Sequence, residues 1–232
     1  MADASLTIDG LVAGYGQGVV LERLSLSVAS GEAVALMGLN GAGKTTLLKT
    51  VMGLVRARAG TIDFGGECIE HRLPFEISRR GIAYVPQGRE IFGDLSVEDN
   101  LLLGDLKAGR PEEAYALFPA LRDKRRAAAG SLSGGQQQQL AVARALMAHP
   151  KLLLLDEPSE GIQPSTVQDI AAILGRIVAE RGMGLVLVEQ NIDMVLALTS
   201  RVIFIQHGHA AASESVSALR ADPQLVETRL GL

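Results

Sequence analysis

The sequence contains a glycine-rich octet of the kind that binds phosphate groups. Residues 38–45 read GLNGAGKT and match the pattern G-x-x-x-x-G-K-[S/T]. Glycines let backbone N–H groups turn toward phosphate oxygens, a lysine adds a mobile positive charge, and a threonine hydroxyl can bind Mg²⁺. A plain glycine turn with a surface lysine is the alternative. We therefore predict a triphosphate site, and its candidate residues are Gly38, Asn40, Gly41, Ala42, Gly43, Lys44, Thr45 and Thr46.

Two adjacent acids, Asp156 and Glu157, follow a run of four leucines. Such a run predicts a buried parallel strand, and open α/β sheets bind ligands at the carboxyl ends of their strands. We expect Asp156 to hold Mg²⁺, and Glu157 to orient, or accept a proton from, the water that attacks the γ-phosphorus. Strand pleating would point the two side chains in different directions. The alternative is an acid pair that caps a helix after Pro158.

A second glycine turn precedes another helical pattern. Residues 132–136 read LSGGQ. Ser133 and the two glycines would expose backbone donors at the positive end of a helix, which predicts a second anion site. The alternative is a helix that is simply capped by the serine.

The predicted secondary structure around these residues alternates between strands and helices. In residues 6–28 apolar and polar residues alternate, which predicts a small antiparallel sheet. Residues 33–37 are continuously apolar and predict a buried strand before the octet, and a helical pattern after the octet ends at Gly53.

Strands and helices continue to alternate after Leu132. A helical run ends before Pro150, the leucine run follows, and residues 166–181 predict another helix. GLVLVE and RVIFIQ predict further strands, followed by a glycine turn and a polar, helical end. The alternation predicts an α/β fold with a mainly parallel core sheet.

Residues 88–130 differ from both flanks because their apolar spacing is helical. Ser96 with Asp99 has the form of a capping box, and Pro111 suits a first helical turn. We predict one domain, residues 1–232, with a nucleotide-binding core of residues 1–87 and 131–232 and an inserted helical subdomain of residues 88–130.

Composition and net charge argue against some classes of function and location. The formal net charge of −4 argues against a surface built to neutralise nucleic acid, so we expect no nucleic-acid partner. The single cysteine, Cys68, and a start without a signal-peptide pattern predict a cytoplasmic setting. The longest apolar runs are far shorter than the ~20 residues that span a bilayer.

Together, the octet, LSGGQ and LLLLDEP resemble the ATPase cassette of ABC transporters over nearly the whole chain. The resemblance implies a P-loop ATPase that uses ATP and Mg²⁺. It also implies that two cassettes pair head to tail, so that residues 132–136, here named the signature loop, close on the γ-phosphate held by the partner's phosphate loop (residues 38–46). The nucleotide contacts it implies there are Ser133, Gly134, Gly135 and Gln136.

The same resemblance assigns further roles. Tyr15 matches the aromatic residue that stacks on adenine, although a turn tyrosine that packs on the sheet is a close alternative. Gln87, in YVPQGR, matches a glutamine that touches Mg²⁺ and water and links the core to the helical subdomain; a plain loop glutamine is the alternative. The metal set is then Thr45, Gln87 and Asp156.

Two positions depart from the family pattern. Gln190 stands where most cassettes carry a switch histidine, and a neutral amide can bond the γ-phosphate but cannot carry a proton. We therefore expect slower unaided turnover. Residues 159–164 read SEGIQP where the family's loop usually ends in aspartate, so bonding across the dimer must differ there. The catalytic candidates are Lys44, Gln87, Glu157 and Gln190.

The chain also resembles a narrower group, the ATPase subunits of uptake systems for branched-chain amino acids or for urea and short-chain amides. The segments that carry this resemblance are YVPQGREIF, LSGGQQQQLA, EPSEGIQP and LVEQN. Among them, EGIQP and the glutamine run are most similar to the urea branch. The resemblance implies a non-identical second cassette, two membrane permeases, an indirectly coupled periplasmic solute-binding protein, and a peripheral position on the cytoplasmic face of the inner membrane.

Three other functions compete with this interpretation. A small-molecule kinase or GTPase could share the octet but would not need LSGGQ. An ABC-type ATPase of nucleic-acid maintenance or translation would resemble a very long coiled-coil chain or a tandem cassette. A regulatory subunit without activity would explain Gln190, yet Lys44, Asp156 and Glu157 are all present.

Overall fold

The structure is a computed structural model that describes residues 6–104 and 110–231. The strands are β1 (Leu6–Ala13), β2 (Leu21–Val28), β3 (Ala33–Met37), β4 (Ala57–Phe64), β5 (Glu67–Cys68), β6 (Ile82–Val85), β7 (Leu152–Asp156), β8 (Gly184–Val188), β9 (Arg201–Gln206) and β10 (His209–Ser215). The helices are α1 (Lys44–Val51), α2 (Pro74–Arg79), α3 (Val97–Leu102), α4 (Glu112–Leu117), α5 (Pro119–Asp123), α6 (Gly134–Met147), α7 (Pro164–Arg181), α8 (Ile192–Leu198), α9 (Val216–Ala221) and α10 (Gln224–Leu230).

The larger sheet has the strand order β10-β9-β3-β8-β7-β6. Strands β9, β3, β8, β7 and β6 are parallel, and β10 pairs with β9 antiparallel at the edge. Every residue of β3, β7 and β8 is buried, as expected for parallel strands that are covered on both faces. The predicted mainly parallel core sheet is confirmed.

The smaller sheet has the order β2-β1-β4-β5 and is antiparallel. In β1, Leu6 and Ile8 are buried in alternation, and after a β-bulge the buried positions continue at Leu11 and Ala13, which is the pattern of a sheet with one covered face. The predicted antiparallel sheet near the N-terminus is confirmed, and it is completed by β4 and β5 from later in the chain.

Pleating divides the core sheet between two apolar clusters. Leu153 and Leu155 lie on the face that packs with α6, α7, α8 and the α3–α5 segment. Leu152 and Leu154 lie on the other face, with α1 and the antiparallel sheet. The parallel sheet is therefore the middle layer, and its carboxyl ends deliver the residues of the site.

Helices α3 to α5 lie between β6 and α6, within the segment predicted to be helical. Ser96 caps α3: its hydroxyl oxygen accepts from Asp99 N at 3.0 Å and donates to the Asp99 carboxylate at 2.6 Å. Pro111 lies directly before α4. The division of the chain into a core and a helical subdomain of residues 88–130 stays a prediction. Residues 1–5, 105–109 and 232, which this division includes, lie outside the described residues.

Some boundaries differ from the predictions. Helix α7 begins at Pro164 instead of Thr166, because proline fits a first helical turn. In the tail, β10 intervenes between the glycine turn and the helical end. Its sequence, HAAASES, has low strand propensity, so only pairing with β9 makes it a strand. Within the described ranges, no helix has the length and apolar character needed to cross a membrane.

Candidate functional site

The phosphate loop connects the carboxyl end of β3 to the start of α1. Gly43 precedes the helix with a φ of 107°, and a Cβ atom there would lie 2.8 Å from Leu21 Cδ2. At Gly38 a Cβ atom would lie 2.3 Å from the carbonyl oxygen of Ile205. Within the described residues, no side chain caps α1 and no acid stands in its first turn. The N–H groups at this positive helix end are therefore open to an anion.

Lys44 is only 5% exposed, which excludes a plain turn with a surface lysine. Its Nζ donates to the carbonyl oxygens of Gly38 at 2.7 Å and Leu39 at 3.1 Å. Burial lowers the pKa of Lys44, while the negative charges of Glu157 and Asp156 act in the opposite direction. The Lys44 ammonium thus lies at the phosphate loop, near the carboxylates of Asp156 and Glu157.

Asp156, the last residue of β7, is 1% exposed and accepts two hydrogen bonds. Thr45 Oγ1 donates to Asp156 Oδ1 at 3.1 Å, and Tyr84 Oη donates to Asp156 Oδ2 at 3.1 Å. Burial raises the pKa of Asp156, and the two hydrogen bonds lower it in part. Burial, and then the Asp156 charge, also raise the pKa of Tyr84.

The adjoining oxygens of Thr45 and Asp156 fit Mg²⁺, which prefers a few protein oxygens together with water and substrate phosphates. No group of three or more His, Cys, Asp or Glu side chains that could hold a metal occurs in residues 6–104 and 110–231. A magnesium ion would therefore depend on phosphate oxygens as well as on Thr45 and Asp156.

Glu157 lies one residue beyond β7 and has a positive φ of 48°. The two acids meet different partners, as expected, but strand pleating is the wrong cause, because the strand ends at Asp156 and a left-handed turn redirects Glu157. The alternative of an acid pair that caps a helix does not fit either, since α7 begins only at Pro164.

Two amides flank the Glu157 carboxylate. Gln87 Nε2 donates to Glu157 Oε2 at 3.1 Å and to Glu160 Oε2 at 3.0 Å. Gln190 Nε2 donates to Glu157 Oε1 at 2.9 Å and to Asn40 Oδ1 at 3.2 Å. Gln87 is thus more than a plain loop glutamine.

These side chains line one cleft of about 530 Å³. Its lining residues are Val20, Asn40, Gly41, Gly43, Lys44, Thr45, Thr46, Gln87, Glu157, Glu160 and Gln190. The structure therefore brings all four catalytic candidates, Lys44, Gln87, Glu157 and Gln190, into one cleft with the phosphate loop.

Tyr15 lies in the turn between β1 and β2 and is 53% exposed. This exposure disfavours the alternative of a tyrosine packed on the sheet. Arg58 holds the turn, because its Nη2 donates to the carbonyl oxygens of Gly16 at 3.1 Å and Gly18 at 2.9 Å.

The signature loop does not line this cleft. Ser133 caps α6: its hydroxyl oxygen accepts from Gln136 N at 3.4 Å, and Gln136 Oε1 accepts from Ser133 N at 3.2 Å. Gly135 lies close to α7, since a Cβ atom there would approach the Thr166 side chain to 3.1 Å. Ser133, Gly134, Gly135 and Gln136 thus form a capped helix start away from the phosphate loop of the same chain.

Sequence reasoning missed two residues that join the loops of the site. Arg89, with a φ of 72°, donates to Gln137 Oε1 at 3.2 Å and to the carbonyl oxygen of Glu160 at 3.3 Å. Glu189 is 2% exposed and directly follows β8. Its place at the carboxyl end of a core strand, the same signal that identified Asp156, could have found it.

The fold and this cleft define a P-loop ATP-binding cassette. A family model described as ABC transporter matches residues 21–160. The chain is 39% identical over 232 residues to the high-affinity branched-chain amino acid transport ATP-binding protein BraG of Pseudomonas aeruginosa, covering 97% of this chain and 99% of that one. It is 38% identical over 237 residues to the lipopolysaccharide export system ATP-binding protein LptB of Escherichia coli, covering 98% of each. The chain belongs to the ABC transporter family and is an ATPase of that family.

Solved structures agree with this assignment. The ADP conformation of an ATP-binding cassette of an ABC transporter matches with a TM-score of 0.84 and 26% identity, covering 100% of both chains. A bacterial Atm1-family ABC exporter with ATP bound matches with a TM-score of 0.85 and 25% identity, covering 97% of this chain and 41% of the exporter chain.

Proposed function

We propose that this chain is the ATP-hydrolysing subunit of an ABC importer for branched-chain amino acids or for urea and short-chain amides. One observation supports hydrolysis most directly: the Glu157 carboxylate is held between Gln87 and Gln190 beside the phosphate loop. The similarity to BraG supports amino-acid uptake. The EGIQP segment and the glutamine run support the urea branch.

In the proposed reaction, the open N–H groups of the phosphate loop and the Lys44 ammonium bind the β- and γ-phosphates. Thr45 and Asp156 would hold Mg²⁺, which would neutralise charge on the phosphate oxygens. Glu157 orients the attacking water and accepts its proton as the water oxygen bonds to the γ-phosphorus and the bond to the ADP oxygen breaks. Gln87 would contact the metal and the attacking water, and Gln190 would donate to the γ-phosphate.

The remaining contacts require a second cassette. The capped signature loop lies outside the cleft, so a nucleotide would meet Ser133, Gly134, Gly135 and Gln136 of another copy or of a non-identical cassette in a head-to-tail dimer. Tyr15 is exposed and free to stack on adenine. The proposal keeps the predicted division into a helical subdomain of residues 88–130 and a core of residues 1–87 and 131–232.

The proposed assembly contains two membrane permeases and, indirectly, a periplasmic solute-binding protein, with this chain on the cytoplasmic face of the inner membrane. No nucleic acid takes part. The similarity to LptB, at 38% identity, favours a second candidate, in which the chain energises export of a lipid-linked substrate.

Glu157→Gln tests the hydrolytic part in the assembled complex. We expect ATP binding to be kept and kcat to fall by about 10²–10⁴-fold, because the amide still fills the space but cannot accept a proton. Equilibrium binding of labelled ATP and steady-state phosphate release measure the two effects. Glu180→Gln, on the exposed side of α7, is the matched control and should change neither. Normal turnover of Glu157→Gln would reject the role of Glu157.

The direction and the solute are tested in proteoliposomes that enclose ATP and hold the complex with its binding protein outside. ATP-dependent accumulation of labelled leucine or labelled urea supports import and distinguishes the two branches. ATP hydrolysis that is stimulated by a lipid-linked substrate, with no accumulation of either solute, would support export instead.

A further inference from the structure

We propose that Glu189 is a positioning residue that locks two loops of the site together and thereby fixes the contacts made to Glu157. This inference rests on the proposed hydrolytic role of Glu157, and it concerns a buried acid that has no part in the reaction described above. Glu189 is not among the residues that line the cleft, and its carboxylate bonds to the backbone N–H groups of Ser159, Gln190 and Asn191, so it would act through these residues.

The Glu189 side chain is buried and fully engaged by backbone donors. Its Oε1 accepts from Ser159 N at 2.8 Å, and its Oε2 accepts from Gln190 N at 2.8 Å and Asn191 N at 2.8 Å. A buried carboxylate is costly unless its oxygens are hydrogen-bonded, and bonds to a charged acceptor are stronger than neutral ones. Three such bonds make this carboxylate a rigid connection.

The connection joins two loops that are far apart in sequence. The bonds to Gln190 and Asn191 are local and would stabilise the turn before α8 on their own. The bond to Ser159 spans 30 positions and reaches the loop that follows Glu157. Through this bond the Glu189 carboxylate connects the turn before α8 to the loop that follows Glu157.

Both loops contact the Glu157 carboxylate or its partners. Gln190 donates from its side chain to Glu157 Oε1, and the Glu157 N–H donates to the carbonyl oxygen of Val188 at 2.8 Å, directly before Glu189. Glu160, one residue after Ser159, accepts from Gln87. A shift of either loop therefore changes how Gln87 or Gln190 meets Glu157.

Glutamine at position 189 has the same shape as glutamate but only one accepting oxygen. In either orientation its NH₂ group faces backbone N–H donors, so either the Ser159 bond or the pair to Gln190 and Asn191 is lost. Packing is kept, while the connection between the loops is broken.

The test compares Glu189→Gln, Gln190→Ala and the double variant in the assembled transporter. We expect Glu189→Gln to lower kcat by about 10–100-fold with KM little changed, because small displacements of reacting groups are expensive in rate. In the Gln190→Ala background the same change should cost less, because part of its effect passes through Gln190. Equal fold losses in both backgrounds would overturn the inference.

Glu32→Gln is the matched control. Glu32 is half-buried before β3, at the opposite end of the sheet, and accepts from Ala29 N at 2.9 Å and from Arg201 Nε at 2.8 Å. We expect this variant to lower Tm without changing kcat. A fall in kcat as large as that of Glu189→Gln would indicate general loosening and contradict positioning.

Should Glu189→Gln fail to fold, Glu189→Asp replaces it, because the charge stays while the shorter side chain cannot reach both loops. The same non-additivity with Gln190→Ala is expected, and additive losses would again overturn the inference. The proposed function is judged separately on the wild type. A wild-type complex without ATP hydrolysis rejects that function, whereas normal wild-type turnover with unchanged kcat in Glu189→Gln rejects only the positioning role.

Discussion

The starts of α1 and α6 are both glycine-rich, yet the structure finishes them differently. Within the described residues, α1 begins after Gly43 with no side-chain cap, whereas α6 begins after Ser133 with reciprocal bonds between Ser133 and Gln136. Orphan N–H groups at a helix start need an acceptor. At the phosphate loop these N–H groups stay available to a ligand. At the signature loop, side chains of the loop itself bond some of the N–H groups. This difference agrees with the proposal that the phosphate loop binds an anion unaided and that the signature loop completes a site formed elsewhere.

Lys44→Ala should break this contrast with the largest effect. We expect the isolated chain to lose about 10²-fold or more in ATP affinity, because the buried ammonium is the cation placed at the loop. Titration with a fluorescent ATP analogue measures the change. Lys124→Ala, at an exposed position, is the control and should leave affinity unchanged. Unchanged affinity in Lys44→Ala would mean that the loop's backbone suffices.

Ser133→Ala sharpens the contrast from the other side. We expect the isolated chain to bind ATP normally, while kcat of the assembled complex falls by roughly tenfold and the lost cap costs about 0.5–2 kcal/mol of stability. Calorimetry and phosphate release measure the two. Ser215→Ala removes the cap of α9, where Ser215 Oγ accepts from Ala218 N at 3.2 Å, and should lower stability without affecting kcat. A loss of ATP affinity in isolated Ser133→Ala would contradict the difference between the loops.

Tyr84→Phe tests the metal side of the phosphate loop through pH. Burial raises the pKa of Asp156, and the Tyr84 hydroxyl is one of the bonds that lower it. Without that bond the pKa rises further, so Asp156 becomes protonated earlier as the pH falls and binds Mg²⁺ less well. The acid limb of kcat/KM should therefore move to higher pH, and a profile of kcat/KM against pH measures the shift. An unmoved acid limb would show that Tyr84 does not influence Asp156.

Gln190→His is the smallest expected change. An imidazole can still donate to Glu157 and can also carry a proton, so kcat of the assembled complex should stay the same or rise by about twofold at most. Steady-state phosphate release measures it, with ATP affinity as the companion measurement. A severe loss would mean that the paired contacts of Gln190 to Asn40 and Glu157 cannot be replaced by a ring.

The sequence predicted the parts of the site that are local in the chain. The octet, the leucine run before Asp156 and the turn before α6 each combine a motif with its flanking element, and the core strands follow from continuous apolar runs. The left-handed turn at Glu157 could not be predicted, because nothing in a strand–acid–acid–proline pattern states where the strand ends.

Contacts between distant segments were also beyond prediction. Arg89 meets Gln137 and Glu160, which lie 48 and 71 positions away, and the bond from Ser159 to Glu189 spans 30. Strand β10 exists because β9 offers it an edge, despite weak intrinsic propensity. Such features depend on which elements the fold places side by side.

The positive φ of Glu157 also means that stability and catalytic rate place opposite demands on this one position. A side chain with a Cβ atom stores about 1–3 kcal/mol of strain in this region, and glycine would relieve it. A Glu157→Gly chain should therefore gain from its backbone while losing its reaction. In a laboratory selection for heat resistance alone, this is a position where an inactive survivor would be expected to arise.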